Sequence, residues 1–422
     1  MSERDLDVVV FGATGVTGRR VAAYLAERAA ESDFRWAAAA RDAVKAEAVL
    51  AEEGVTAPEV VIADLSDPDS LAAMAARARV VLNLVGPYTL YGEPVIEACV
   101  AGGAHYADLT GEIQFVRRMN AAYDARAVEA GVKIVEVCGF EALPPDVAVL
   151  LAAEAAAERW DEGLAEVDLE VRTLKVPMPP RPSDYISGGT FQSLAAAAGD
   201  PDSAAIADAG CLVDDPTAAA EVARRSPITV APRRGSRGSV VAPMTPAAFI
   251  NPAVIHRSAA LRAAGAGEPF EPFTYREGIA IDGPGVTAPF RYAAAGAMAG
   301  IQASVGRVAK ASPAVGQRAS RALSRVLPSS GAGPASDRLE PWRWRMDVRA
   351  RTTGGNEVKV TADADGHPGY LTTARMLGEA GLLMAEEGAT PDRPGCVTPA
   401  TALGSASADR FARAGLRFSV AA

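Results

Sequence analysis

The sequence predicts an α/β fold: an N-terminal doubly wound parallel sheet, then a second α+β domain containing a mixed or antiparallel sheet. Three observations carry this. Apolar strand-like runs alternate with helical stretches through the first 140 residues, the pattern of a parallel sheet covered by helices. The first run ends in three glycines spaced three apart at the head of a helix. After Pro144-Pro145-Asp146 the alternation stops, and longer strand-like stretches and proline-rich segments take over. At 422 residues the chain is also too long for one typical core.

Strands are expected at Asp7–Phe11, Arg35–Ala40, Glu59–Ala63, Val80–Val85, His105–Leu109 and Lys133–Cys138. Helices between them are expected at Thr17–Ala30, Ala43–Glu53, Ser70–Ala76, Pro94–Ala101 and Glu112–Ala130. The second part opens with a helix at Asp146–Arg159 and a strand at Glu166–Thr173. A hairpin at Arg343–Thr352 and Glu357–Ala364 turns at Gly354-Gly355, and a helix follows at Tyr370–Glu387. These elements divide the chain into residues 1–143, 144–385 with a mobile loop at about 201–246, and a C-terminal segment, 386–422, packing back on the first domain. The apolar run Tyr292–Val305 is bracketed by Arg291 and Arg307. It falls short of the roughly 20 residues a membrane span needs and reads as a buried or interfacial helix.

The glycines have separate jobs. Gly12 permits the tight turn out of the strand, Gly15 lets a pyrophosphate approach the backbone, and Gly18 lets the helix pack close to the sheet. Free N–H groups at the helix start then face the phosphates. Gly12, Thr14, Gly15, Val16, Thr17 and Gly18 are therefore the expected dinucleotide cradle of a Rossmann-type domain. An NAD-preferring domain usually ends its second strand in a carboxylate that binds the ribose hydroxyls. Here that position reads Ala40-Arg41-Asp42. Arg41 suits a 2′-phosphate, which its planar fork can bind with two hydrogen bonds, and the expected cofactor is NADP. Asp42 points away or caps the next helix, while Asp64 lies near the adenine or caps a helix with Ser66 and Asp67.

The fourth strand ends in Val85-Gly86-Pro87-Tyr88-Thr89-Leu90-Tyr91, on the edge that faces the nicotinamide in this fold. Val85, Gly86 and Pro87 are expected against the cofactor. Tyr88 and Tyr91 are the nearest phenols, candidate proton donors or else aromatics packed between domains. Glu112 is a candidate for substrate binding, or an ordinary charge in a helix's first turn. Ser187-Gly188-Gly189-Thr190 opens an apparent helix and repeats the anion-binding logic for a substrate group, or is a plain cap. Cys138 has no histidine nearby in sequence and reads as an inert buried thiol.

Composition excludes several classes. A net charge of −10 and a pI near 5.1 leave no basic surplus for nucleic acid. The four cysteines lack metal-ligand spacing, so no metal is expected, and they read as reduced thiols. The charged N-terminus has no secretion signal, which fits a cytoplasmic protein, with membrane association left open by the 292–305 run.

Gly12-Ala-Thr-Gly15-Val-Thr-Gly18, Arg41, Gly86-Pro-Tyr-Thr-Leu-Tyr-Gly92, Tyr106-Ala-Asp-Leu-Thr-Gly-Glu112, Cys138-Gly-Phe140, Ser187-Gly-Gly-Thr190, Pro368-Gly-Tyr370 and Val397-Thr-Pro-Ala-Thr-Ala-Leu403 stand in one order along nearly the whole chain. In this they resemble the saccharopine dehydrogenase-like oxidoreductases, in the actinobacterial branch that includes trans-acting enoyl reductases of lipid biosynthesis. The resemblance implies an NADP-binding domain, a second domain with a mixed sheet, and reduction of a carbon–carbon double bond on a lipid or polyketide chain. Two departures stand out. The family commonly has Cys-Gly-Phe-Asp-Ser where this chain has Glu141-Ala142, and Gly-Asp-Pro-Gly-Tyr where this chain has His367. Glu141, at a strand end facing the cleft, joins Tyr88 and Tyr91 as a catalytic candidate.

Three functions fit these residues. The first is an NADPH-dependent enoyl or enone reductase. The second is a C=N reductase, for which Arg181, Arg233 and Arg234 would hold a carboxylate, or else are surface charges in loops. The third is a non-catalytic NADP-binding sensor or scaffold. The expected partners are a small-molecule or lipid-like substrate, a carrier protein or membrane surface, and a second copy of the chain.

Overall fold

The computed structural model describes residues 4–179, 200–228, 231–244, 246–310 and 336–421. In chain order the first part is β1 (Leu6–Phe11), α1 (Gly18–Ala29), β2 (Trp36–Ala40), α2 (Ala43–Glu52), β3 (Val60–Ile62), α3 (Pro68–Arg77), β4 (Ala78–Asn83), α4 (Tyr88–Tyr91), α5 (Glu93–Gly102), β5 (His105–Asp108), α6 (Ile113–Ala130) and β6 (Lys133–Val135). Val8, Val9 and Val10 are all fully buried, because helices cover both faces of the sheet. The side chains of Asp42 and Asp67 cap α2 and α3 by accepting backbone N–H groups of the first turn. The expected strand Lys133–Cys138 stops at Val135. Beyond it the backbone turns through a left-handed Val137, whose N–H is taken by the Asp108 side chain instead of a neighbouring strand.

The second part is α7 (Leu143–Trp160), β7 (Leu164–Lys175), α8 (Pro216–Arg225), β8 (Arg233–Arg234), β9 (Val240–Ala242), α9 (Asn251–Ala266), β10 (Thr274–Ile281), α10 (Ala288–Ala309), β11 (Arg343–Thr352), β12 (Glu357–Asp365), α11 (Thr373–Ala385), β13 (Gly395–Val397), α12 (Pro399–Leu403) and β14 (Leu416–Val420). The first sheet is all parallel, in the order β13-β6-β5-β4-β1-β2-β3. The second, β14-β12-β11-β7-β10-β9-β8, is mixed, with β10 and β7 parallel and the other pairs antiparallel.

Several expectations are corrected. The stretch 201–246 is not simply loop: Asp215 caps α8 by accepting the Ala218 N–H, and β8 and β9 extend the second sheet. The helix expected from Tyr370 begins as a π-helical turn at Pro368–Thr372 and continues as α11 only to Ala385. The 292–305 run lies within α10 on the surface, with Phe290 and Ile301 exposed and only Arg291, Ala295, Gln302 and Ala309 buried. No helix among the described residues is long and apolar enough to cross a membrane.

The chain returns to the first sheet at α11, ahead of the boundary expected at residue 385, and the C-terminal segment divides between the sheets. Helix α11 packs on α1 and β4, and a Cβ on Gly378 would stand 2.6 Å from the Tyr24 ring. Strand β13 pairs with β6, and β14 pairs with β12. Glu379 locks the return. It is fully buried, accepts the Tyr24 hydroxyl at 2.6 Å, and is paired with Arg28 at 3.4 Å and Arg410 at 3.0 Å. Removing Glu379 leaves the buried Arg28 with only the exposed Glu31 as its partner, at 2.7 Å, beside an apolar gap. Glu379→Ala is expected to lower unfolding stability by about 3 kcal/mol in urea denaturation. An unchanged midpoint would show that the cluster contributes nothing.

Candidate functional site

The C-terminal edge of the parallel sheet gathers the turns after β1, β2, β4, β5 and β6. At the first turn Gly12 has φ +88° and its carbonyl accepts the Gly15 N–H at 3.0 Å. A Cβ on Gly18 would stand 2.1 Å from that same carbonyl oxygen, so only glycine lets α1 start so close to β1. Thr17, at the N-cap, makes no side-chain capping bond. The N–H groups at the helix start thus have no side-chain cap from Thr17.

Arg41 follows β2 directly, is exposed, and makes no hydrogen bond or ion pair among the described residues. Asp42 is occupied in capping α2 through the Lys45 N–H at 3.0 Å. Asp64 accepts the backbone N–H and hydroxyl of Ser66, which hold its carboxyl below the usual range, with Arg41 adding a smaller pull. A free guanidinium beside an open helix start fits a dinucleotide carrying a 2′-phosphate.

The reacting edge is built by a buried network. The Asn83 amide donates to the Tyr106 hydroxyl, which donates to Asp108. The other Asp108 oxygen accepts the N–H groups of Thr110 and Val137. Burial raises the Asp108 carboxyl to about 7 against these bonds. Tyr88 is placed here too, but its hydroxyl donates to the Asn83 carbonyl and accepts the Leu109 N–H. Burial pushes that phenol well above its ordinary value. Glu112 is buried, and its carboxylate accepts the N–H groups of Tyr88 at 3.0 Å and Thr89 at 2.8 Å. It thereby caps α4 across the sheet edge and fixes the Val85-Gly86-Pro87 turn. Tyr91, at the far end of α4, is 41% exposed.

Glu141 lies after β6, with its carboxyl over Gly139, whose own neighbours are Leu109 and Thr373. Burial raises its pKa, and it has no hydrogen bond from another residue among those described. Phe140 is held by the Thr373 hydroxyl and meets the Trp344 ring edge-on at 5.0 Å, so this turn links the two sheets. Cys138 is fully buried and its thiol is pushed up by that burial, as expected of an inert thiol. Ser187, Gly188, Gly189 and Thr190 lie outside the described residues, as does Arg181. Arg233 is not free for a substrate carboxylate, because it pairs with Asp168 at 2.5 Å.

One group escaped sequence reasoning. Glu277 on β10 is buried, accepts the Tyr275 hydroxyl at 2.8 Å and the Asn251 amide at 2.7 Å, and leaves its second oxygen unpartnered. Burial raises it to about 7. Asn251 follows Ile250, which packs 3.0 Å from the Cβ position of Gly111, so the group stands behind the Thr110–Glu112 corner. In sequence Glu277 is one alternating polar residue in a strand.

The family described as the saccharopine dehydrogenase NADP binding domain matches residues 8–135. A Mycobacterium tuberculosis protein provisionally named a trans-acting enoyl reductase is 35% identical over 432 aligned positions, covering 98% of this chain and 97% of its own. The trans-acting enoyl reductase of Mycobacterium ulcerans is 33% identical, with the same shares covered. Among solved structures, the apo saccharopine dehydrogenase (L-Glu forming) of Saccharomyces cerevisiae aligns over 98% of this chain and 99% of its own, with TM-score 0.50 and 15% identity, a likeness of fold. The chain belongs to the saccharopine dehydrogenase-like NADP-binding oxidoreductases and, within them, to the branch of the trans-acting enoyl reductases.

Proposed function

We propose that the protein uses NADPH to reduce the carbon–carbon double bond of an enoyl or enone group on a lipid or polyketide-type chain, presented free or on a carrier protein. The observation that carries this is the 33% identity, across 98% of the chain, to a named trans-acting enoyl reductase. The free Arg41 and the Gly12–Gly18 cradle support the cofactor half of the reading. Bound NADPH would supply the hydride that the β-carbon takes.

The chain's own residues then have three tasks. Gly12, Thr14, Gly15, Val16, Thr17 and Gly18 hold the pyrophosphate, and Arg41 holds the 2′-phosphate with Asp64 at the adenosine end. Glu112 keeps Val85, Gly86 and Pro87 in place through α4, which makes it a positioning residue. The proton for the α-carbon comes from Glu141, a half-buried carboxyl whose pKa is raised by desolvation. Tyr88 is less suited, since its hydroxyl already holds two backbone groups; Tyr91 is the remaining rival. Ser187–Thr190 would donate to the substrate carbonyl as charge builds on its oxygen. The C=N reading loses one of its candidate carboxylate partners with the pairing of Arg233.

Purified protein is expected to consume NADPH with an enoyl thioester and not with a keto acid plus an amine; the opposite pattern would replace the C=C assignment. Arg41→Ala should weaken NADPH binding about ten- to a hundredfold, the worth of charge-assisted hydrogen bonds, and leave NADH binding unchanged. Equal losses for both cofactors would remove Arg41 from the phosphate site. Glu141→Gln should cut kcat strongly at normal NADPH affinity. In the parent protein kcat should fall as pH rises through the raised Glu141 pKa, because the acid form is lost, and that limb should vanish in Glu141→Gln. If Tyr91→Phe abolishes turnover while Glu141→Gln does not, the proton donor is the phenol.

A further inference from the structure

A cavity of about 290 Å³ runs between α7, α9 and the chain from Pro391 to Gly404. Its lining includes no residue of the glycine turn, of the turn after β4, or of the Thr110–Glu112 corner. The walls are apolar, formed by Val149, Leu150, Ala153, Ile255, Ala259 and Phe273. Both ends are polar.

At one end stands Asp146, 1% exposed. One of its oxygens accepts the Ala400 N–H at 2.8 Å, and the other makes no hydrogen bond among the described residues. Ser258 and Thr398, whose hydroxyls bond each other at 2.6 Å, lie alongside and draw its pKa down, yet burial outweighs them and raises it to about 7. At the other end are Glu154, Arg262 and Arg393. Glu154 is eight residues along α7 from Asp146, about 12 Å at 1.5 Å per residue. Arg393 reaches over Gly265, its Nη1 2.8 Å from the Cβ position there. Among the described residues neither guanidinium has a hydrogen bond or ion pair. Glu154 and Glu268 act on Arg262 through space, against the burial that lowers its pKa.

An apolar cavity with one unbonded oxygen of a buried carboxyl at its end lacks one polar partner. A buried acceptor or donor left unmade costs about 1–3 kcal/mol, which a ligand oxygen would offset. Two uncommitted guanidinium groups at the mouth match a carboxylate, whose two oxygens accept parallel N–H bonds. The volume sits near the lower bound of small-molecule pockets.

We propose that this cavity is a second ligand site, separate from the cofactor cleft, for a medium-chain acyl carboxylate. The carboxylate is held by Arg262 and Arg393, the chain lies along α7 and α9, and a hydroxyl or carbonyl oxygen at the far end meets Asp146. The assignment does not depend on the reductase reading.

Calorimetric titration of the full-length protein with ω-hydroxydecanoate and with decanoate tests it, with NADPH titration as the control for a folded first domain. The hydroxy acid is expected to bind saturably at one site and more tightly than decanoate. The double variant Arg262→Ala, Arg393→Ala should weaken it at least about tenfold, the loss expected for charge-assisted bonds, with NADPH affinity unchanged. If the double variant no longer binds NADPH, Ala153→Leu, which fills the cavity and keeps both charges, takes its place and should abolish acid binding. Absence of saturable binding by either acid, or binding indifferent to these variants, would overturn the site. Equal affinity for the two acids would overturn the role given to Asp146.

Discussion

The contact on which the cofactor edge depends is the approach of α1 to the end of β1, where the Gly12 carbonyl occupies the space a Gly18 side chain would need. That approach aims the open helix start at the sheet edge and sets α1 flat enough on β1 for the rest to dock. Tyr24 and Arg28, further along the same helix, then meet Glu379 of α11 and bring the returning chain onto the sheet. A residue larger than glycine at position 18 would push α1 outward and disturb the anion site and the α11 contact together. Local backbone geometry and the long-range closure of the fold are thus one constraint.

The reacting edge is held differently, by side chains substituting for a missing ladder. Once β4, β5 and β6 end, their backbone groups need partners, and Asn83, Asp108 and Glu112 provide them. Burying these polar groups is tolerable because Asp108 and Glu112 satisfy several N–H donors each. The outcome is three turns locked in register, with Glu141 beside them and without such a bond. A fixed frame with one uncommitted acid is an arrangement suited to proton delivery.

The sequence made the first sheet and its glycine turn legible because each residue there obeys a local rule: β-branched runs for buried parallel strands, glycine for close approach, Asp for helix caps. Glu112 was ambiguous because its partners, Tyr88 and Thr89, lie more than twenty positions away, and no periodicity announces an acceptor for another element's helix start. Strand β13 has three residues, too few for a pattern, and is recruited by β6 after a long excursion. Helix α8 was hidden in a stretch rich in Pro, Arg and Ser, where Asp215 and the proline after it are in fact its start signal. Asp146 and Glu277 look like ordinary polar positions, and only packing shows that both are buried and that each leaves an oxygen unbonded.

The departures from the family pattern separate into those the fold absorbs and one it does not. His367 accepts the Gly369 N–H through Nδ1, the bond an aspartate oxygen makes at such a turn, and its ring packs between Trp342 and Tyr370. The turn into α11 therefore keeps its acceptor. Ala142 stands at the N-cap of α7 and gives up the hydroxyl a serine would offer, while Asp146 keeps an acidic side chain in the first turn. Neither change alters what the cleft presents. Glu141 does: one methylene longer than aspartate, its carboxyl reaches over Gly139 toward Leu109 at the reacting edge. The proposed proton transfer therefore depends on the position and reach of that acid.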